Sequence, residues 1–287
     1  MGRHIALILA AVALAAPAFA QTEDSGERNK TFVEARGSVK PVPLPPGGPP
    51  PRMADGHVDF SGVWFGGPTG KANAWSVVPD EPLKQDPIPF KPEVAAKIKS
   101  MTRAELELGS AQVTCRPLGV PGMWTNNPYP HQIVMKPNLF IHMIESNNNW
   151  RVVRIPRQHK PKEEQELLFM GDTASRWEGD TLVMETLNVY PETWIQGNGW
   201  YRSEQAKVTE RLRRPSMNYL EYQFSVEDPE VLTKPWTSAW RRYTLSVLDE
   251  DLTENFCTNN ENAEQFLKLI DQERTGQKPQ GEKPAEP

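Results

Sequence analysis

Short runs in which apolar and polar residues alternate recur along the middle of this chain. The alternation is clearest at residues 219–226, where the polar positions, starting with Glu221, are predicted to face water. A period of two is typical of strands that bury one face. The predicted buried face of this strand comprises Leu220, Tyr222, Phe224 and Val226. Similar runs between turn residues predict strands at 60–65, 132–135, 139–145, 150–155, 175–177, 181–187, 205–212, 219–226 and 237–247.

These strands follow one another with short connections, which indicates antiparallel hairpins. A meander of this size closes most easily into a barrel, because closure leaves no exposed sheet edge. We therefore predict an all-β fold: an antiparallel up-and-down β-barrel of eight to nine strands, lipocalin-like, with short flanking helices. The helices are predicted near residues 92–101 and 260–273. An open antiparallel sandwich is the alternative fold.

The ends of the chain predict export and flexible flanks. Arg3, an apolar run at residues 5–16 and the sequence Ala18-Phe19-Ala20 are typical of a cleaved signal peptide. The apolar run is shorter than a membrane-spanning helix, so no membrane insertion is expected. The predicted organisation is a signal peptide (1–20), a disordered, Pro-rich linker (21–57), a β-barrel domain (58–272) and a disordered tail (273–287). A mature protein starting near Gln21 would be periplasmic or secreted.

Composition narrows the chemistry further. A net charge of −5 argues against nucleic acid as a partner, because that requires clustered Lys and Arg. Export and the lack of nucleotide-binding motifs predict that no cofactor is used. The two cysteines, Cys115 and Cys257, predict a disulfide in an oxidising compartment, and no His spacing predicts a metal site. The oligomeric state stays open.

Two resemblances support export and a barrel. Gly62-Val63-Trp64 is similar to the G-x-W pattern that opens lipocalin barrels. Over about residues 59–260 the chain also resembles a large family of exported bacterial all-β proteins of unestablished activity. The segments that carry this resemblance start at Asp59 (DFSGVW), Tyr129 (YPHQIV), Met170 (MGD), Arg176 (RWEGDTLV), Thr193 (TW), Glu210 (ERLRR) and Thr233 (TKPWT).

Comparison with the pattern of this family implies that the chain lacks three histidines that its relatives could use for metal binding or acid–base chemistry. Family members typically carry three histidines after the Thr-Trp pair, where this chain has Trp200, Arg202 and Lys207. His159 matches another family histidine and is retained.

Several charged residues fall on predicted inner faces. Glu210 shares a strand face with Ala206, Val208 and Leu212, where a carboxylate is costly unless it is paired or functional. It is either a base or ligand anchor, or the partner of Arg154, Arg176 or Arg211. Arg154 shares a face with Trp150 and Val152 and either orients a ligand or ends in solvent. Tyr222, on the apolar face of its strand, is a further ligand-binding candidate.

Other candidates lie within strands or near the predicted barrel mouth. His142 is a mid-strand imidazole that is either a base or a structural core residue. His159 and Asp172 lie in or beside one loop, where sites are commonly built. Glu185 either points inward or pairs across strands with Arg211 or Arg213. The aromatic residues Tyr190, Trp194 and Trp200 either bind a ligand at this mouth or simply cover the barrel end.

Three functions are compatible with this reading. The first is periplasmic binding of a small hydrophobic or aromatic molecule in a barrel cavity, oriented by Arg154 and Glu210. The second is a cofactor-independent lyase or isomerase in which Glu210, His142, His159 or Asp172 moves a proton. The third is an interaction protein that uses the Pro-rich arm at residues 41–51.

Overall fold

The computed structural model describes residues 47–65, 86–125, 129–191, 193–195, 199–246, 251–255, 257, 268, 272 and 275. The predicted signal peptide and most of the predicted linker lie outside the described residues. Of the predicted closing helix and tail, only Lys268, Gln272 and Thr275 are described.

The α-helices whose bounds lie in the described part of the chain are short and precede the main run of strands. They are α1 (Pro92–Ser100), α2 (Arg103–Leu108), α3 (Ala111–Thr114) and α4 (Gly122–Thr125). Helix α1 has Pro92 and Glu93 in its first turn and lysines in its last turn, as the helix dipole favours, which confirms the predicted helix. Within the described part of the chain, no helix combines the length and apolarity needed to cross a membrane.

In the residues that the structure describes, ten strands form one antiparallel sheet. They are β1 (Gly62–Phe65), β2 (His131–Lys136), β3 (Leu139–Ile144), β4 (Asn149–Arg154), β5 (Asp172–Glu178), β6 (Thr181–Leu187), β7 (Lys207–Ser216), β8 (Tyr219–Glu227), β9 (Trp236–Thr237) and β10 (Arg241–Leu245). The predicted all-β fold with short flanking helices is therefore confirmed.

The sheet curls into a nearly closed barrel of nine strands. Its order is β4-β3-β2-β1-β10-β8-β7-β6-β5, and the short β9 pairs with β8 off this path. Nine strands, each antiparallel to the next, leave the first and the last pointing the same way. Strands β4 and β5 therefore cannot form the antiparallel ladder that joins all the others. We call the gap between these two edges the seam.

A reversed segment of the chain partly fills the seam. After β4 the chain turns back at Ile155 and Pro156, and Arg157 forms an antiparallel bridge with Ser175 of β5. The Ser175 hydroxyl also donates a hydrogen bond to the carbonyl oxygen of Arg154. These contacts close one end of the seam. At the other end, near the start of β5, the described strand pairings include no backbone ladder between β4 and β5.

Side chains fill the barrel interior. The inner face of β8 is fully buried, as its alternation predicts, and α4 inserts Trp124 between the strands. Buried aromatic and aliphatic residues from nine of the strands, all except β5, complete the core. They include Trp64, Ile133, Phe140, Val153, Leu182, Met184, Leu212, Leu220, Phe224, Trp236 and Tyr243.

Two local predictions were wrong in detail. The predicted strand at 237–247 is split into β9 and β10, because the Ser238 amide and hydroxyl both bond to the backbone of Phe224. Glu221 was predicted to face water but is 1% exposed on the outer face. Arg213 and Arg242 cover it, with nitrogen–oxygen distances of 2.6 Å to both.

Candidate functional site

Trp124 organises a cluster of polar side chains in the barrel interior. Its ring stacks on His131, His142 and Tyr222, with centroid distances of 4.8, 4.2 and 4.7 Å. The Tyr243 hydroxyl donates a hydrogen bond of 2.8 Å to the carbonyl oxygen of Trp124, which fixes helix α4 at this barrel end. The cluster is shielded from solvent, because all four rings of the stack are fully buried.

The two histidines form a directly bonded pair. Nδ1 of His131 lies 2.9 Å from Nε2 of His142, across neighbouring strands β2 and β3. Burial lowers the pKa of His131 from 6.5 to about 3. Burial, with nearby His131 and Arg151, lowers the pKa of His142 well below 6.5. Both imidazoles are therefore neutral at neutral pH and share one hydrogen bond.

Glu210 is held by a buried cation and a phenol. Its Oε2 lies 2.7 Å from Nη2 of Arg151, and the hydroxyl of Tyr222 donates a 3.0 Å hydrogen bond to its Oε1. Burial and the neighbouring Glu210 raise the pKa of Tyr222 well above 10. The charge of Glu210 is thus compensated inside the barrel, as a structural ion pair requires.

These contacts correct the predicted partners of Glu210. Arg154, Arg176 and Arg211 were the predicted partners, but Arg151 takes this role. Arg154 does share a face with Trp150 and Val152, as predicted, yet this face is the outer one. Glu210 and Arg154 therefore lie on opposite sides of the barrel wall and cannot orient one ligand in the interior.

A cleft of about 670 Å³ opens along the seam. Its volume lies in the range that small-molecule sites occupy. Residues from β4, from the start of β5 and from the chain between them line it, and residues 115–117 close one side. Apolar side chains, among them Leu168, Phe169 and Met170, contribute to its wall. We refer to it as the seam cleft.

His159, Asp172 and Glu185 meet beside the seam cleft. Nδ1 of His159 lies 2.8 Å from Oδ2 of Asp172, and its Nε2 lies 3.4 Å from Oε1 of Glu185. Burial alone raises the pKa of Asp172, but hydrogen bonds from Arg157, His159 and the Lys160 amide outweigh it and lower the pKa. Asp172 is therefore a carboxylate that fixes the orientation of the His159 ring.

Glu185 lies on the outer face of β6. Besides His159, it has Lys207 at 3.8 Å, rather than the predicted Arg211 or Arg213. Of the two alternatives for Glu185, the inward orientation was the wrong one, because the core-facing side of β6 carries Leu182 and Met184.

The structure separates the three aromatic candidates. Trp200 is fully buried against Trp236, with ring centroids 5.1 Å apart. Trp194 packs on Gly109, where a Cβ atom would come within 1.9 Å of its ring. Tyr190 stacks on Phe169 at 5.2 Å, and Phe169 lines the seam cleft. Of these three aromatic residues, only Tyr190 has a described ring contact with a residue that lines the cleft.

The predicted disulfide is present. Cys115 and Cys257 are bonded, and Cys115 lines the seam cleft. The bond therefore fixes one side of the cleft to a distant part of the chain, 142 residues away in sequence. Among the described residues, no group of three or more His, Cys, Asp and Glu side chains is arranged to hold a metal ion.

Two central residues were missed by sequence reasoning. His131 lies on the same face of β2 as Ile133 and Met135, so a period-two reading of this strand could have placed it inside. Arg151 lies on the same face of β4 as Val153 and Ile155, but alternation alone gives the Trp150 face the same apolar content and therefore does not identify the inner one.

No protein-family model, curated protein or solved structure matches this chain. The resemblance to exported bacterial proteins stays a prediction, and the seam cleft is interpreted from its own geometry.

Proposed function

We propose that this protein binds a small hydrophobic or aromatic molecule in the seam cleft, outside the cytoplasm. The observation that carries this proposal is the cleft of about 670 Å³ with Leu168, Phe169 and Met170 among its lining residues. Its position also supports the proposal. The only gap in the ladder of the described barrel strands lies there, so a ligand can enter without breaking strand pairs.

The chemistry of the chain supports a location in the periplasm or outside the cell. The predicted signal peptide and the Cys115–Cys257 disulfide both fit an oxidising compartment. The barrel interior is a poorer site, because Trp124, Tyr222 and the other buried side chains already occupy it. We therefore propose that the ligand binds in the seam cleft of the barrel wall and not in the interior cavity that the sequence predicted.

A first experiment incubates the purified protein with a panel of hydrophobic and aromatic compounds and identifies retained compounds by native mass spectrometry. The variant Phe169→Ala removes an aromatic wall of the cleft and should raise the dissociation constant about tenfold, which equals about 1.4 kcal/mol. Phe90→Ala is the matched control, because Phe90 packs on Trp200 away from the cleft. Equal affinity of both variants for every retained compound would place the ligand elsewhere.

A lyase or isomerase is the second candidate function. The observation that favours it is the orientation of His159 by Asp172, since Asp172 also lines the seam cleft. In that case the same incubation yields a product, and His159→Gln abolishes turnover while the substrate is still retained. Retention of unchanged compounds alone would identify a carrier.

A further inference from the structure

The seam cleft is positively charged although the whole protein is acidic. Two acidic side chains line it, Glu166 and Asp172. The basic residues that line it are Arg116, Arg151, Arg154, Arg157 and Lys160. Glu210 compensates Arg151 from behind the cleft wall, so the four other basic residues against the two acidic ones leave a local excess of two positive charges, whereas the full chain carries −5. An anionic ligand is therefore attracted to this part of the surface in particular.

The cations of the cleft have different neighbours. Arg151 is paired with Glu210, and Arg157 is paired with Asp172. Arg154 and Lys160 are instead exposed on the outer side of the seam. Their side chains can therefore approach a bound anion without breaking a buried ion pair.

The free edge of β4 adds hydrogen-bond donors. The amide of Ile155 bonds to the carbonyl oxygen of Asn138, which lies opposite it, so residues 155, 153, 151 and 149 bond to β3. The intervening residues Trp150, Val152 and Arg154 turn their peptide groups the other way, towards the seam. The hydrogen bond that the Arg154 carbonyl accepts from Ser175 agrees with this direction. The amides of Trp150 and Val152 thus face the cleft that these residues line.

We propose that the ligand of the seam cleft is a hydrophobic or aromatic carboxylate. Its apolar body lies against Phe169 and Met170, and its carboxylate accepts hydrogen bonds from Arg154, Lys160 and the edge amides of β4. Charged donors and carboxylate oxygens form the stronger class of hydrogen bonds, so an acid group is favoured over a neutral polar group. This inference rests on the proposed function, because it names the chemistry of a ligand in the same cleft.

The test compares naphthalene carboxylate with the corresponding neutral carboxamide by isothermal titration calorimetry at about pH 7, where the acid is ionised. We expect the carboxylate to bind at least tenfold more tightly than the carboxamide. This preference should shrink as salt rises from about 0.01 M to about 0.15 M, because the cations at the rim are exposed.

Variants test whether the preference for the carboxylate comes from Arg154 and Lys160, the exposed cations at the edge of the cleft. The double variant Arg154→Gln/Lys160→Gln should lose most of the preference and keep its affinity for the carboxamide. Arg176→Gln is the control, because Arg176 is exposed on β5 beside Glu178 and does not line the cleft. It should keep the preference.

The outcomes separate this inference from the proposed function. Equal binding of the two compounds overturns selection of an acid, while the cleft stays a binding site for apolar molecules. A preference that persists unchanged in the double variant overturns the role of Arg154 and Lys160. Failure of both compounds to bind, together with failure of the whole panel, overturns the proposed function itself.

Discussion

Glu210 and Arg151 form an ion pair whose two side chains are 0% and 3% exposed. Taking both charges out of water is costly, and their mutual attraction and hydrogen bonds must offset that cost. Tyr222 donates a second hydrogen bond to Glu210, so both Arg151 and Tyr222 rely on the Glu210 carboxylate as their partner. Loss of Glu210 would leave a buried guanidinium without its counter-charge.

Glu210→Gln should therefore lower the free energy of unfolding by about 3–5 kcal/mol, measured by urea denaturation. The matched substitution Glu178→Gln removes a carboxylate from an exposed pair with Arg176 and should change stability by less than about 1 kcal/mol. A loss at Glu210 no larger than that at Glu178 would contradict the structural role of this pair.

The strand β4 explains why Arg154 rather than Arg151 was predicted as a functional residue. From residue 150 to 155 each face carries two apolar residues and one arginine. One face comprises Trp150, Val152 and Arg154, and the other Arg151, Val153 and Ile155. Alternation alone does not choose between equal faces, whereas the neighbouring strands do, because only Val153 and Ile155 join the core cluster.

At the scale of elements, strands and hairpins follow from local sequence. The predicted runs at 139–145, 150–155, 181–187 and 219–226 match β3, β4, β6 and β8 within one residue at each end. Strand β7 extends past its predicted end to Ser216 and contains Pro215, because an irregularity in its register between Arg213 and Ser216 accommodates the proline. The contacts that shape the seam join residues that are farther apart in sequence. Gly171, just before β5, makes one of them, because its backbone packs against Leu187 of β6.

Gly171 and Gly179 provide a matched pair of substitutions. Both have a φ of +60°, but a Cβ atom at Gly171 would meet the Leu187 carbonyl oxygen at 2.4 Å, whereas nothing lies within 4 Å at Gly179. Gly179→Ala should cost about 1–2 kcal/mol from backbone strain alone. Gly171→Ala should cost about 1–3 kcal/mol more, because it also crowds the strand.

Thermal or urea unfolding of both glycine variants measures this difference. Equal stability losses would mean that the chain around Gly171 relaxes without cost. Since Gly171 also lines the seam cleft, its variant should bind the retained compounds of the panel less tightly than the Gly179 variant does.

At the scale of the whole molecule, the buried histidine pair links stability to pH. The folded-state pKa of His131 is about 3 and that of His142 lies well below 6.5, so the unfolded chain binds more protons than the folded protein below about pH 6.5. Stability is thus fully present above that pH and is lost as pH falls towards about 3. Each histidine contributes up to about 1.4 kcal/mol per pH unit.

Urea denaturation at about pH 7 and about pH 5 tests this dependence, because these values lie on either side of the pKa of about 6.5 that histidine has in the unfolded chain. The variant His142→Gln should lose stability about half as steeply between these pH values as the unmodified protein, because one of the two buried histidines is gone. An identical pH dependence in the His142 variant and the unmodified protein would contradict the prediction.

The sequence by itself determined the strands, the inner face of β8, the inward position of Glu210 and the two cysteines that pair. These properties depend on alternation within one segment or on composition, so they can be found without knowing which segments are neighbours. Only the tertiary structure decided the partner of Glu210, the His131–His142 pair and the seam cleft. Each of these joins residues from different strands or from helix α4, and the cleft exists because an odd number of antiparallel strands leaves two parallel edges that cannot close as the others do.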